Sequence, residues 1–240
     1  MSYYESRFKV NFNDLDQIKE KIKFCEILGI KKIILEPINN LKKISQHLRQ
    51  EIVGMSQIQI FFRINLRPKD LNSFKKQIKE YNKFEDIISV ESNNKDIQIH
   101  AARDSRVDIV SFSEQNILKT LTTGLISLIK QNNSFIEFSL APLMTKNKAL
   151  QSKIFRTLYR FLNLAIKQRV NYIISGNFKE VFDLRHPRGL ISLCHSLLGL
   201  SINEAKVGFS KNPDLLQKRI KNRLDVLVIE DGVNLIKKED

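Results

Sequence analysis

Tryptophan is absent, and cysteine, histidine, proline and glycine are scarce: two, four, five and eight in 240 residues. Cys25 and Cys194 lie far apart with no CxxC spacing, which argues against a disulfide framework or a cysteine-held zinc and for a reducing compartment. So little glycine leaves no GxxxxGK[ST] or GxGxxG phosphate loop, and no GxSxG elbow occurs. His47, His100, His186 and His195 form no HxH, HExxH or HxxxH pair. His100 and His186 each read as following a strand, but two lone imidazoles make a poor metal site, so no metal and no protein-bound cofactor are expected. Cys194 and His195 are neighbours in a helical pattern, where adjacent side chains diverge by about 100°. Cys194 therefore reads as a buried helix residue, and no catalytic residue is expected.

No Pro/Gly/Ser-rich linker and no solenoid-period repeat divides the chain, so a single domain over 1–240 is expected. No segment approaches the roughly 18 apolar residues of a membrane span. The opening Met1-Ser2-Tyr3-Tyr4-Glu5-Ser6-Arg7 lacks the apolar core of a signal peptide. The expectation is a soluble, cytoplasmic protein with no membrane partner.

What the chain has in excess is cation. Forty Lys and Arg face twenty-six Asp and Glu, a formal net charge of +14, beside an apolar fraction of 42% that suits a folded protein. Such an excess favours a polyanionic partner. Lacking Trp and any RNP-type aromatic cluster, recognition of nucleic acid should run through phosphate and 2′-hydroxyl contacts, reading shape more than base sequence.

Short β-branched runs alternate with helical patterns. Strands are predicted at Arg7–Phe12, Lys32–Leu35, Ile58–Leu66, Ile87–Val90, Ile97–Ile99, Val107–Phe112, Ser134–Phe138, Tyr172–Ser175 and Val226–Ile229. Helices are predicted after Asn13 or Asp14 (apolar face Leu15, Ile18, Ile22, Cys25), at Leu41–Ile52, after Asp70, at Leu118–Ile129, at Thr145–Arg169, from Pro187 to Gly199, after a Ser201–Glu204 capping box, and from Asn212-Pro213. In the Thr145–Arg169 helix, Lys153, Arg156, Arg160 and Lys167 fall nearly opposite the apolar stripe. Strand then helix, seven or eight times, means parallel α/β architecture. An open doubly wound sheet and a closed barrel both fit; the count and length favour a (β/α) barrel.

The candidate phosphate contacts are guanidinium and ammonium groups near predicted loops. Arg63 and Arg67 flank a strand end. Arg103 and Arg106 bracket Asp104-Ser105 before a strand. Arg185 and Arg188 stand at a helix start, and Lys179 and Lys211 lie near other element ends. Arg106 has a rival role, an internal pair with Asp104 or Asp108.

Four blocks then carry a resemblance. Ala101-Ala102-Arg103-Asp104-Ser105-Arg106-Val107-Asp108 through Phe112 resembles the RVD-strand segment of the ribonuclease P protein component 3 family, archaeal relatives of a eukaryotic RNase P/MRP subunit. Phe135–Leu143 is similar to its "EI-x-LSPLL" strand. Ile174-Ser175-Gly176 with Arg185-His186-Pro187-Arg188-Gly189-Leu190 is similar to its "SSGA … RSPRDL" block. Leu198-Gly199-Leu200 through Asn212-Pro213 to Asn222-Arg223 resembles its "NP … NR" ending. The chain departs at Gly189, where the family usually has Asp, and at His186, usually Ser.

The resemblance implies a TIM-barrel-like fold related to PHP-type phosphoesterases without their metal ligands. It implies a protein subunit of RNase P, the endoribonuclease that removes the 5′ leader from precursor tRNA, with catalytic Mg²⁺ carried by the RNA. Its partners would be the RNase P RNA, the component 2 (Pop5-type) protein, other RNase P protein subunits and, in the complex, precursor tRNA. Arg103, Arg106, Arg185 and Arg188 are the RNA contacts it motivates; Arg63, Arg67, Lys179 and Lys211 rest on charge and position. The competing reading is a metal-dependent PHP-class phosphoesterase.

Overall fold

The computed structural model describes residues 2–39, 41, 43–82, 84–178 and 180–225, with the backbone of 228–230 and 233–234. Seven strands alternate with helices: β1 (Tyr4–Val10), α1 (Leu15–Ile27), β2 (Lys32–Pro37), α2 (Gln46–Gly54), β3 (Gln59–Leu66), α3 (Leu71–Ile78), β4 (Ile87–Val90), α4 (Lys95–Arg103), β5 (Ile109–Phe112), α5 (Gln115–Leu118), α6 (Thr123–Gln131), β6 (Phe135–Ser139), α7 (Lys148–Lys167), β7 (Tyr172–Ser175) and α8 (Pro187–Leu198). Then come α9 (Ile202–Lys206), a π-helical turn (Val207–Lys211), α10 (Asn212–Leu224) and a two-stranded antiparallel ribbon, β8 (Val228–Glu230) and β9 (Val233–Asn234).

The seven strands are parallel and pair in chain order, which rolls the sheet into a nearly closed barrel. The seam between β1 and β7 has no strand ladder. A carboxylate bridges it: Glu5 Oε1 accepts from the backbone N–H of Gly176 (3.0 Å) and Asn177 (3.4 Å). The π-helical turn packs at β7, where Gly208 leaves no room for a side chain. A Cβ there would lie 2.9 Å from Ile174 Cγ1 and 3.0 Å from Tyr172 Cε2.

Local sequence chemistry explains most boundaries. Asp14 accepts from Gln17 N–H to start α1, and Gly29 ends it at φ +70°. The capping box at α9 forms both its bonds, Ser201 N–H to Glu204 (2.7 Å) and Glu204 N–H to Ser201 (3.1 Å). Three expectations need correction. Ile97–Ile99 is not a strand; it lies in α4, which Asn94 caps by accepting from Asp96 N–H, and Ile97 and Ala101 are buried one turn apart. His100 is thus a helix residue and follows no strand. The segment around Leu118–Ile129 is broken in two, because Thr122 caps a new helix by accepting from Leu125 N–H. The strand predicted at Val226–Ile229 overlaps β8, which pairs with β9 and not with the barrel; Val226 and Leu227 lie outside the described residues.

No helix among the described residues is long and apolar enough to cross a membrane. The main core fills the layer between strands and helices, and Cys25 and Cys194 are both buried in it. Burial pushes the Cys194 thiol up to about 12, which suits an inert core residue.

Candidate nucleic-acid interface

Inside the barrel the strands show a period-two pattern that changes character with height. At the amino ends, Ile34, Ile87, Ile109, Phe135 and Ile173 form an apolar layer with Phe61, Leu216 and Ile220. The last two belong to α10, which plugs this end. Its clamp is ionic: Arg223 reaches Asp108 (3.0 Å) and the carbonyls of Phe84 and Asp86. Arg219 reaches Asp108 (3.2 Å) and the carbonyls of Ser105, Asn132 and Asn133.

Two residues further along the strands the interior is charged. Arg7 makes a two-pronged pair with Glu36 (2.7 and 2.9 Å) and continues to Glu91 (2.9 Å) and Ser111 (3.0 Å). Arg63 makes a two-pronged pair with Glu137 (2.8 and 2.7 Å) and donates to Ser89. Arg67 Nε donates to Glu91 at 2.9 Å, and Ser113 also donates to Glu91. Burial alone would push the Glu91 and Glu137 carboxyls up. The Arg7 and Arg67 guanidiniums and the Asn65 amide instead bring Glu91 down to about 2, and Arg63, Arg7 and Ser111 do the same for Glu137.

Among the described residues no three His, Cys, Asp or Glu side chains group as metal ligands. The interior carboxylates that come nearest have their oxygens occupied by guanidinium and hydroxyl donors. These residues do not fit a divalent cation, and the metal-dependent phosphoesterase reading is not favoured.

The structure scatters the predicted contacts. Arg63 is 0% exposed and spends its guanidinium on Glu137, Glu36 and Ser89, so it is withdrawn from the RNA-contacting set. Arg67, Arg185 and Arg188 stand at the carboxyl ends of the strands. Arg103, Arg106 and Lys211 stand at the amino ends, since Arg103 ends α4, Arg106 lies in the loop from α4 to β5, and Lys211 precedes the α10 plug. Lys179 lies outside the described residues. Arg106 takes its rival role and forms a two-pronged pair with Asp104 (2.8 and 2.6 Å). Arg185 Nη1 donates to the carbonyls of Phe182 and Leu184. The side chains of Arg103 and Arg188 are exposed, with no hydrogen-bond or ion-pair partner among the described residues. The departure at His186 is compensated, because its Nδ1 accepts from Arg188 N–H (3.1 Å) and caps α8 as a serine would.

One cationic helix face lies outside the predicted set. No Asp or Glu occurs from Phe138 to Lys179. Within that stretch α7 turns Ile154, Leu158, Phe161, Leu162 and Ala165 inward and leaves Lys153, Arg156, Arg160 and Lys167 exposed. Tyr159, 52% exposed, lies over Gly199 at the end of the neighbouring α8. The signal for this face was in the helical periodicity, which separated the cations from the apolar stripe.

The sequence profile of a family described as RNase P subunit p30 matches residues 5–224. The chain belongs to the RNase P subunit p30 family. Within that family it is 22% identical to the ribonuclease P protein component 3 of Methanosarcina barkeri over 228 residues, covering 95% of this chain and 92% of that protein. It is 24% identical to the protein of the same name from Methanococcoides burtonii over 183 residues, covering 76% of this chain and 74% of that one. A chain in a cryo-EM structure of archaeal ribonuclease P with mature tRNA superposes with a TM-score of 0.80 at 19% identity, covering 99% of each chain. The p30 barrel also resembles an organophosphorus hydrolase variant from Deinococcus radiodurans (TM-score 0.57, 9% identity, 90% of this chain and 92% of that one). A putative prolidase from Bifidobacterium longum matches with a TM-score of 0.65 at 9% identity (91% and 70%). At these identities the solved structures show the fold alone.

Proposed function

We propose that this chain is a noncatalytic, RNA-anchoring subunit of RNase P, the ribonucleoprotein that removes the 5′ leader from precursor tRNA. The RNA carries the Mg²⁺ chemistry, and the protein holds the RNA in its working fold beside the component 2 (Pop5-type) protein and other RNase P protein subunits. The single observation that carries the RNA contact is the exposed α7 face, where Lys153, Arg156, Arg160 and Lys167 stand on a helix that holds no carboxylate; Arg185 and Arg188 add cations at the start of α8, beyond Glu180 and Asp183 of the loop before it. A row of cations on one helix face neutralises phosphates and releases their counterions. Arg67 joins this side; Arg103 and Lys211 offer a separate contact at the opposite end, and Arg106 serves its own loop first.

The test is reconstituted precursor-tRNA cleavage at limiting Mg²⁺, with and without this chain, where adding it should raise the rate. In salt titrations of RNA binding, the combined Lys153→Ala, Arg156→Ala and Arg160→Ala variant should lose about 0.7–0.9 of log–log slope for each phosphate contact removed. Cleavage indifferent to the chain, or an unchanged slope, refutes the reading.

A further inference from the structure

We propose that the mouth of the barrel holds a phosphate-type oxyanion, seated on Lys9. Arg7, Arg63 and Arg67 meet Glu36, Glu91 and Glu137, three guanidiniums to three carboxylates, in one connected network. Lys9 stands two residues beyond Arg7 on β1 and is not part of it. Its ammonium has no hydrogen-bond or ion-pair partner among the described residues. Half-buried and crowded by guanidiniums, it is an uncompensated cation at the end of a β/α barrel where ligands ordinarily sit. Burial first, then the charge of Arg7 and, less strongly, of Arg67, lowers its pKa to about 8, with Glu36 and Glu91 opposing.

The seat is a cavity of about 290 Å³ lined by Lys9, Lys21, Arg67, Gln17 and Asn39, amply large for a tetrahedral oxyanion. Two carboxylates also line it. Glu36 is held by Arg7 and Arg63, and Glu180 lies exposed at the rim, where Lys21 feels its charge. The Gln17 Oε1 is buried without a partner. Amide oxygen and nitrogen are interchangeable by a flip, so Gln17 can turn an N–H₂ toward an anion and remove that defect. An adjoining cavity of about 550 Å³ shares Lys9, Arg67 and Glu180 but is also lined by Glu114 and Asp183, which repel an anion and leave the smaller cavity as the seat. A bound oxyanion would accept from Lys9 and from Arg67, and charge-assisted bonds of this kind are the strong ones.

The inference stands on the cavity's own chemistry and not on the RNA reading of α7. Inorganic phosphate is the first probe, titrated calorimetrically at constant ionic strength against the whole chain, Lys9→Met and the surface control Lys76→Met, an exposed α3 position outside both cavities. We expect one saturable site in the unmodified chain and in the control, and affinity weaker by about tenfold or more in Lys9→Met. Absent binding, or undiminished binding in Lys9→Met, overturns the proposal. Lys9→Met should fold at least as stably as the parent in chloride. Should it not fold, the Lys9 ammonium titration followed by NMR in the unmodified chain decides. Phosphate must raise its midpoint above the value in chloride, and an unmoved midpoint is equally fatal.

Short RNAs bearing a 5′-phosphate or a 5′-hydroxyl then separate the sources. Lys9-dependent preference for the phosphorylated end assigns a terminal phosphate. Equal Lys9-dependent binding assigns backbone phosphate. Binding of inorganic phosphate alone assigns a free ion.

Discussion

At the scale of single residues, the arginines divide into those that hold the fold and those that face water. Removing Arg63 would leave Glu137 fully buried with one guanidinium gone and Ser89 without its donor. Breaking a buried pair from one side is costly, so Arg63→Met should lose about 3–5 kcal/mol in chemical denaturation. The RNA salt slope of the fraction that stays folded should not change, which separates this residue from a phosphate contact. Glu5 makes a different prediction. Burial lifts its carboxyl from 4.5 to about 7, against the lowering effect of the amides of Arg7, Asn177 and Gly176. The folded chain therefore keeps a proton that the unfolded chain releases. That stabilisation is full below about pH 4.5 and fades as pH rises through 7. Glu91 and Glu137 act oppositely, their contribution being present above about 4.5 and lost as pH falls through 2. Urea midpoints at pH 5 and pH 8 should drop more for the parent than for Glu5→Gln, whose side-chain oxygen can still accept at the seam. Parallel drops would refute the assignment.

At the scale of elements, the barrel seam decides what happens between β7 and β1. An eighth strand would be the regular solution. Here Glu5 bridges the gap and the π-helical turn lies against β7, at a distance only glycine tolerates at position 208. Gly208→Ala places a methyl 2.9 Å from Ile174 Cγ1, so the turn or the strand must shift. The expected loss is about 1–3 kcal/mol, read as a lowered thermal midpoint. The same substitution at Gly124 or Gly189, whose added Cβ meets nothing within 4 Å, should not show it. The elements differ in how well local chemistry announced them. Caps at Asp14, Asp70, Ser201 and His186-Pro187 place helix starts correctly because capping is a contact between near neighbours. Ile97–Ile99 misled because an Ile-Gln-Ile triplet satisfies a period of two, and only the Ala101 that follows reveals the turn of helix.

At the scale of the whole molecule, the two ends of the barrel do opposite work. The amino end is apolar and plugged; the carboxyl end is polar and open. A chain ended before Asn212 would lose Leu216, Ile220 and the Arg219–Arg223 clamp, and would uncover Ile34, Ile87, Ile109, Phe135 and Ile173. It should bind a hydrophobic dye such as ANS and lose cooperative unfolding, while full-length protein does neither.

Much of this could be read along the chain. Strand and helix alternation, caps and the cation excess are properties of neighbours and of composition, and they led to a parallel β/α barrel and an anionic partner. The ionic interior was visible only as an unread pattern: Arg7 and Lys9, Arg63 and Asn65, Glu137 and Ser139 repeat polar residues every second position in strands. The side-chain hydrogen-bond partners of Arg7, Arg63 and Arg67 lie between 24 and 104 positions away, as Arg67 to Glu91 and Arg7 to Ser111 show. Only closure of the sheet could decide that Arg63 faces inward and Arg188 outward, because an arginine's role depends on whether a carboxylate or water is opposite it, and that is a fact about folded space.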